Sequence, residues 1–377
     1  MSNSLALLYR LLPATTNNMC VEISRRNLVK SITSAIAVAA IAPTYGCNHA
    51  PVPSNGGAGS GRLLTEQTAT YSVGSFLLDL STRSIRVRHR GDPTRSLWET
   101  NLQQPFLLVK QGKANFREHG NPLGSFTVRD DVTAVLTFKA LNSAEVIDAS
   151  ALDLSGTLSS SQASQTFRLH FRSLLENQLE FAIEIDGPQA DDWNRIVLHY
   201  ASSSGEAFFG FGQQLTYFNQ KGHILPILVQ EHGIGRGLPV ISQLVDLKYD
   251  GAGGTPYLTE APAPHYITSQ LRSLFLENKE YSTFDMRAAD SVQITLFASR
   301  MTGRILFGRT PLDLIEEYSS YAGRMRVMPD WVHQGVMVAA QGGNRTGHSR
   351  RADHFHQRAD RHGPRDPCSS GSIRSDL

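Results

Sequence analysis

An antiparallel β-sandwich is the fold class this sequence predicts, and three observations predict it. From residue 69 to 299 apolar and polar residues alternate with period two, the period of a strand that buries one face and wets the other. Turn residues punctuate those runs. No helical period separates them before residue 310, which argues against a parallel sheet built from strand-helix-strand units.

The elements follow in chain order. In "SIRVRHR" Ile85, Val87 and His89 share one face while Arg86, Arg88 and Arg90 share the other. "TFRLHF" sets Phe167, Leu169 and Phe171 together, and "LEFAIEI" does so for Leu179, Phe181, Ile183 and Ile185. "SLFLENKEYSTFDM" and "SVQITLFAS" carry the pattern to residue 299, with Asn-Ser, Glu-Asn and Asp-Gly pairs read as the turns between strands. One helix is expected over 310–323: Thr310 caps it, Pro311 suits its first position, Asp313 favours its first turn and Gly323 closes it. Residues 66–325 therefore form the expected sandwich domain.

Beyond it the pattern changes. In "RMRVMPDWVHQGVMVAAQGG" (324–343) Pro329 and Trp331 mark a border, and "GVMVAA" is a run suited to a strand covered on both faces. Residues 326–343 read as the first strand of an incomplete (β/α)8 barrel. Residues 344–377 hold seven Arg, four His and four Asp but few large apolar side chains, so a disordered, out-of-register tail is expected there.

Charge narrows the partners. The chain carries a formal +2, yet residues 1–60 and 344–377 are each basic, which leaves about −4 on residues 61–343. That body offers phosphates no basic face, so no nucleic-acid partner is expected. Only Cys20, Cys47 and Cys368 occur, all outside the body. They give neither a disulfide framework nor a metal site, and no cofactor is expected.

The amino terminus reads as an export signal over residues 1–48. "SRRNLVK" followed by "SITSAIAVAAIAP" resembles a twin-arginine signal, and the apolar run is too short to be a spanning helix. Cys47, after Gly46, is the expected lipid-attachment point, which makes the protein periplasmic or a membrane-anchored lipoprotein. Residues 49–65, "HAPVPSNGGAGSGR" and the residues after it, read as a flexible linker.

Four motifs, taken in order, carry a family resemblance. "FFGFGQQLTYFNQKG" (208–222) has Gln213 where the family pattern has Glu; "QEHGIGRG" (230–237), "AGGTPY" (252–257) and "MPDWVHQGVMVAAQGG" (328–343) follow. Together they resemble the N-terminal region of glycoside hydrolase family 31, on its sulfoquinovosidase branch. The resemblance implies a galactose-mutarotase-like sandwich ahead of a catalytic barrel, and an O-glycosyl hydrolase acting on an α-glycoside or sulfosugar. It also implies that the Asp nucleophile and Asp acid/base sit on barrel segments that this chain does not show, so the chain is expected to be truncated before its barrel and inactive by itself. Retaining hydrolysis needs two carboxyls about 5 Å apart.

What the chain is expected to supply is the edge of a sugar pocket. The resemblance assigns Gln341, at the end of the first barrel strand, an amide that donates to a sulfonate. Glu231 and Arg236 flank the Gly-rich turn "HGIG", where they either hold sugar hydroxyls or an anion, or pair with each other and brace the loop. Trp193, Tyr217 and Phe218 are candidates for stacking on a sugar, with core or turn packing as the plainer role. Two other readings stay open: a stand-alone carbohydrate-binding sandwich, and a mutarotase using His170, His199 or His265 with a carboxylate base.

Overall fold

The computed structural model describes residues 61–119, 125–187, 189–249 and 251–330. Its first five strands are β1 (Arg62–Leu63), β2 (Ala69–Val73), β3 (Phe76–Leu80), β4 (Ile85–His89) and β5 (Trp98–Glu99). Then come β6 (Leu107–His119), β7 (Ser125–Asp148), β8 (Ala151–Ser159), β9 (Ser164–Leu175), β10 (Gln178–Asp186), β11 (Arg195–Ala201), β12 (Phe208–Gly212) and β13 (Ile224–Ile227). Helix α1 (Ile241–Lys248) precedes β14 (Pro262–Thr268), β15 (Ser273–Leu276), β16 (Ser282–Asp285), β17 (Ser291–Leu296) and β18 (Arg300–Leu306); helix α2 (Pro311–Ala322) closes the series.

The expected antiparallel β architecture is what the chain builds. A four-stranded sheet runs β2-β3-β4-β5, and a fourteen-stranded sheet runs β12-β14-β15-β18-β10-β9-β8-β7-β6-β11-β17-β16-β13 with β1 on β7. The larger sheet folds over on itself. A small apolar void is walled by Leu169 and Phe171 of β9, Phe181 and Ile183 of β10 and Ile305 of β18, and Leu198 of β11 closes it from the other half. The two halves thus share one core. Strand β7 lies between the two halves, and its pairing with β8 shifts register at Phe138/Ala140, Leu141/Ser143 and Val146/Asp148. Each bulge adds a residue on one strand and sharpens its twist.

Alternation explains which residues enter that core. In β9 Phe167, Leu169 and Phe171 are buried and Arg168 and Arg172 face out; in β10 Leu179, Phe181, Ile183 and Ile185 are buried. At about 2–3 kcal/mol for each fully buried large apolar side chain, these rows are the main stabilising term. Helix α2 has the predicted Thr310 cap, and Asp313 completes it as a capping box: Thr310 Oγ1 accepts from the Asp313 N–H and Asp313 accepts from the Thr310 N–H. It packs Leu314 on Phe275 and Leu306.

Three local expectations change. Asn142-Ser143 is not a turn but lies inside β7, where Asn142 donates to Thr157 Oγ1 (2.9 Å) and Ser143 meets Ser155 Oγ (2.7 Å) across to β8. Cross-strand side-chain bonds hold there what short-range preference reads as a break. Strand β1 lies within the stretch expected to be linker, pairing Arg62 with Ala144. Helix α1 has no counterpart in the sequence reading. The expected barrel strand beyond Asp330, and the tail, lie outside the described residues.

Candidate functional site

The Gly-Phe-Gly of β12 sets the geometry of the loops beyond it. Pairing of β12 with β14 shifts between Gly210 and Gly212, and Phe211 between them has φ +63°. Its ring is fully buried, packed 5.1 Å from Phe284 and 5.7 Å from Tyr266. A bulky residue in the left-handed region is strained, and here the aromatic core holds it. The chain leaves the sheet at Gln213, whose N–H donates to Ala261 O (2.9 Å).

Two Gly-rich segments then lock together. A Cβ on Gly233 would lie 2.4 Å from Gly254 Cα, so only glycine lets these backbones touch. Arg236 has φ +48° and donates to Pro256 O (3.0 Å), Leu258 O (3.2 Å) and Thr216 Oγ1 (3.2 Å). Its guanidinium ties three loop segments with no help from Glu231. That carboxylate is exposed and its side chain forms no hydrogen bond or ion pair among the described residues. Gln230, buried, anchors the other end by accepting from the Phe126 N–H (2.8 Å). Ser242 and Asp246 of α1 hold Gly253, through its carbonyl and its N–H respectively.

Aromatic groups gather beside this lock. Tyr217 stacks on His223 at 4.1 Å, and the Tyr257 hydroxyl meets His223 Nδ1 at 3.0 Å. Phe218 is 85% exposed, 4.9 Å from the Phe209 ring. Exposed aromatic faces beside amide and hydroxyl groups suit a pyranose, which has one apolar face and a polar rim. Trp193 is different: it is buried in the main core. The residues brought together are therefore Thr216, Tyr217, His223, Arg236 and Tyr257, with Glu231 at the edge. Gln341 and Cys47 lie outside the described residues. Sequence reasoning missed His223 and Tyr257, which are joined only by folding.

The three histidines weighed for acid-base work sit in three settings. His170 Nδ1 is 2.7 Å from Asp153, and that hydrogen bond raises its pKa although burial opposes it. Sequence gave no sign of this pair. It stands in a ladder on the outer face of the sheet, where Arg300 holds Glu184 and Arg168 holds Asp186. His199 lies on β11 and bonds Pro105 O and Gln293 Oε1. His265 stacks on Tyr318 at 4.0 Å, and burial lowers its pKa to about 4.

His265 gives a pH prediction with a defined sign. Its folded pKa lies below the unfolded value of 6.5, so its contribution is fully present above pH 6.5 and is lost as pH falls towards 4. His170, shifted upward, contributes in the opposite sense. Urea unfolding at pH 4 and pH 7 should show the native chain losing on the order of 2 kcal/mol more than His265→Gln as pH drops. Equal losses in the two proteins would refute the assignment.

No family model matches the chain. A sulfoquinovosidase of Escherichia coli (strain K12) is 31% identical over 151 residues, covering 40% of this chain and 22% of the relative. One from Agrobacterium fabrum (strain C58) is 29% identical over 150 residues, covering 40% and 23%. This chain resembles the sulfoquinovosidases of glycoside hydrolase family 31. A solved structure agrees in fold: a family 31 sulfoquinovosidase from E. rectale, in complex with an aza-sugar inhibitor, superposes with a TM-score of 0.58 at 23% identity, over 74% of this chain and 39% of that one. The chain spans about a fifth of the length of the curated sulfoquinovosidases it matches.

Proposed function

We propose that the chain is the N-terminal, sugar-contacting part of an exported O-glycosyl hydrolase of the sulfoquinovosidase type, acting on an α-glycoside or sulfosugar. The observation that carries this reading is the 31% identity to a sulfoquinovosidase over 151 residues. The local geometry supports it: Arg236 fixes "HGIG" against residues 256–258, and that lock presents Glu231 and the Tyr217, His223 and Tyr257 group on one set of loops. The part proposed for these residues is to hold sugar hydroxyls at the rim of a pocket whose two hydrolytic carboxyls lie elsewhere, with Gln341 as a donor to the sulfonate.

The mechanism then divides cleanly. Hydrolysis through an oxocarbenium-like transition state needs a nucleophile and a proton donor, and the proposal assigns neither to residues 61–343. The purified chain should therefore show no turnover of 4-nitrophenyl α-sulfoquinovoside or α-glucoside. Turnover that disappears on replacing any Asp or Glu in that range would overturn the assignment. Export belongs to the same proposal, with Arg25-Arg26 as the recognised pair and Cys47 as the lipid anchor. In cells fed radiolabelled palmitate the chain should take up label, and Cys47→Ala should abolish it; label retained by that variant would exclude the anchor.

A further inference from the structure

A second polar site lies on the outer face of the sheet, and its floor is a single row across three strands. In the register of β11, β17 and β16, His199 pairs with Gln293 and Gln293 pairs with Asp285. The alternate residues Leu198, Tyr200, Val292, Ile294 and Phe284 go into the core. All three row members therefore face outward together.

Two loops wall this row and are fastened to each other. The turn before β6 is held down by His199 Nδ1 at Pro105 O (2.8 Å). Asn101, 8% exposed, reaches from that turn to Asp290 O in the loop before β17 (3.3 Å). Between them lies a cleft of about 410 Å³ lined by Gln104, His199, Asp285, Arg287, Ser291 and Gln293. Its volume falls in the roughly 300–1,000 Å³ range of small-molecule sites.

Several groups there are arranged but not fully used. Ser291 is 4% exposed, lines the cleft, and its hydroxyl makes no hydrogen bond among the described residues. The Gln104 side-chain amide likewise makes none among them. The two ends of the Gln293 side-chain amide meet His199 Nε2 (2.9 Å) and Thr295 Oγ1 (3.0 Å), which leaves the amide one lone pair and one N–H whichever way round it lies. Arg287 grips Asp285 through Nε (2.9 Å) and an Nη (2.5 Å), so the one guanidinium and the one carboxylate of the lining cancel in charge. Burial works against the charged form of Asp285, but these bonds outweigh it and its pKa is lowered, so the carboxylate accepts bonds at neutral pH.

Paired donors and acceptors match vicinal hydroxyls, and with Arg287 already held by Asp285 an anion finds no unpaired guanidinium in the lining. We propose that this cleft binds a neutral pyranose unit, with Gln104, Ser291 and Gln293 holding its hydroxyls and Asp285 accepting from one of them. Among the described residues the lining holds no Phe, Tyr or Trp ring to stack on the sugar, so affinity is modest. The proposal does not rest on the glycosidase reading: the cleft binds whether or not the chain takes part in hydrolysis.

Saturation-transfer NMR on the full chain, with methyl α-D-glucopyranoside and maltose as probes and inorganic phosphate as competitor, tests it. Saturable binding is expected with Kd on the order of 1–10 mM. Gln104→Ala, in an exposed turn where folding is not at stake, and Gln293→Ala should each weaken it about five-fold, the loss of one or two hydrogen bonds. Leu247→Ser on exposed α1 should leave it unchanged. No saturation by about 50 mM, displacement by phosphate, or binding that ignores Gln104→Ala would overturn the proposal.

Discussion

Replacing Arg272 by Met should destabilise the domain by about 3–5 kcal/mol, because it strands a carboxylate where water does not reach. Glu206 is 1% exposed and Arg272 6% exposed, with their charged atoms 3.0 Å apart. Arg272 also donates to Leu97 O (3.2 Å) and Ala201 O (2.9 Å), so it joins the end of β11 to the segment before β5. Without it Glu206 keeps only the Ser202 hydroxyl (3.2 Å), itself bonded by Lys221 (2.8 Å). Glu206 Oε1 already lacks a hydrogen-bond partner among the described residues, and the nearby Lys221 ammonium is bonded to Ser202 rather than to the carboxylate. The double variant Glu206→Met, Arg272→Met removes both charges and should recover most of the stability, to within about 1–2 kcal/mol of the native chain. Urea unfolding of the three proteins decides it: a single-variant loss under about 1 kcal/mol would show that water or movement rescues the carboxylate.

Gly212→Ala is the second large effect, expected at about 3 kcal/mol from backbone strain plus overlap. Its φ is +79°, and an added Cβ would lie 2.1 Å from Ala261 O and 2.7 Å from Ala263 N. Both obstacles are main chain of β14 or the residue before it, so no rotamer change relieves them. The substitution should also loosen the 213–222 loop, since Gln213 is bonded to that same Ala261 carbonyl. Faster amide exchange at 213–222 together with the lower unfolding midpoint is the expected pair of readings. Gly205→Ala serves as the control, because an added Cβ there meets nothing within 4 Å. Equal costs for the two variants would show that the bulge is soft.

The strands and α2 were legible because their signals are local. Alternation in β4, β9 and β10 names the buried face directly, and Thr310, Pro311, Asp313 and Gly323 each act within a turn of helix α2. Helix α1 has no such start: Val240, at φ +71°, gives no side-chain cap, and Ser242 is its one buried residue. Its hold is tertiary, through Ser242 and Asp246 on Gly253. The site follows the same rule. Gly-rich "HGIG" marks a close approach in the sequence, but that Arg236 binds carbonyls at 256 and 258, or that His199, Gln293 and Asp285 form one row, depends on register across distant strands.

The placement of β18 beside β10 has a consequence during synthesis. Gln178 of β10 pairs with Leu306 of β18, so the middle of the large sheet waits for the ribosome to make everything between them. At ordinary elongation rates that wait is roughly 6–25 s, far longer than the microseconds a hairpin needs to close. Throughout it β10 carries an open rail of N–H and C=O groups beside the apolar row Leu179, Phe181, Ile183 and Ile185. The nascent chain at that stage is the form most in need of a chaperone, and release of β18, rather than of the first strands, is what lets the large sheet close.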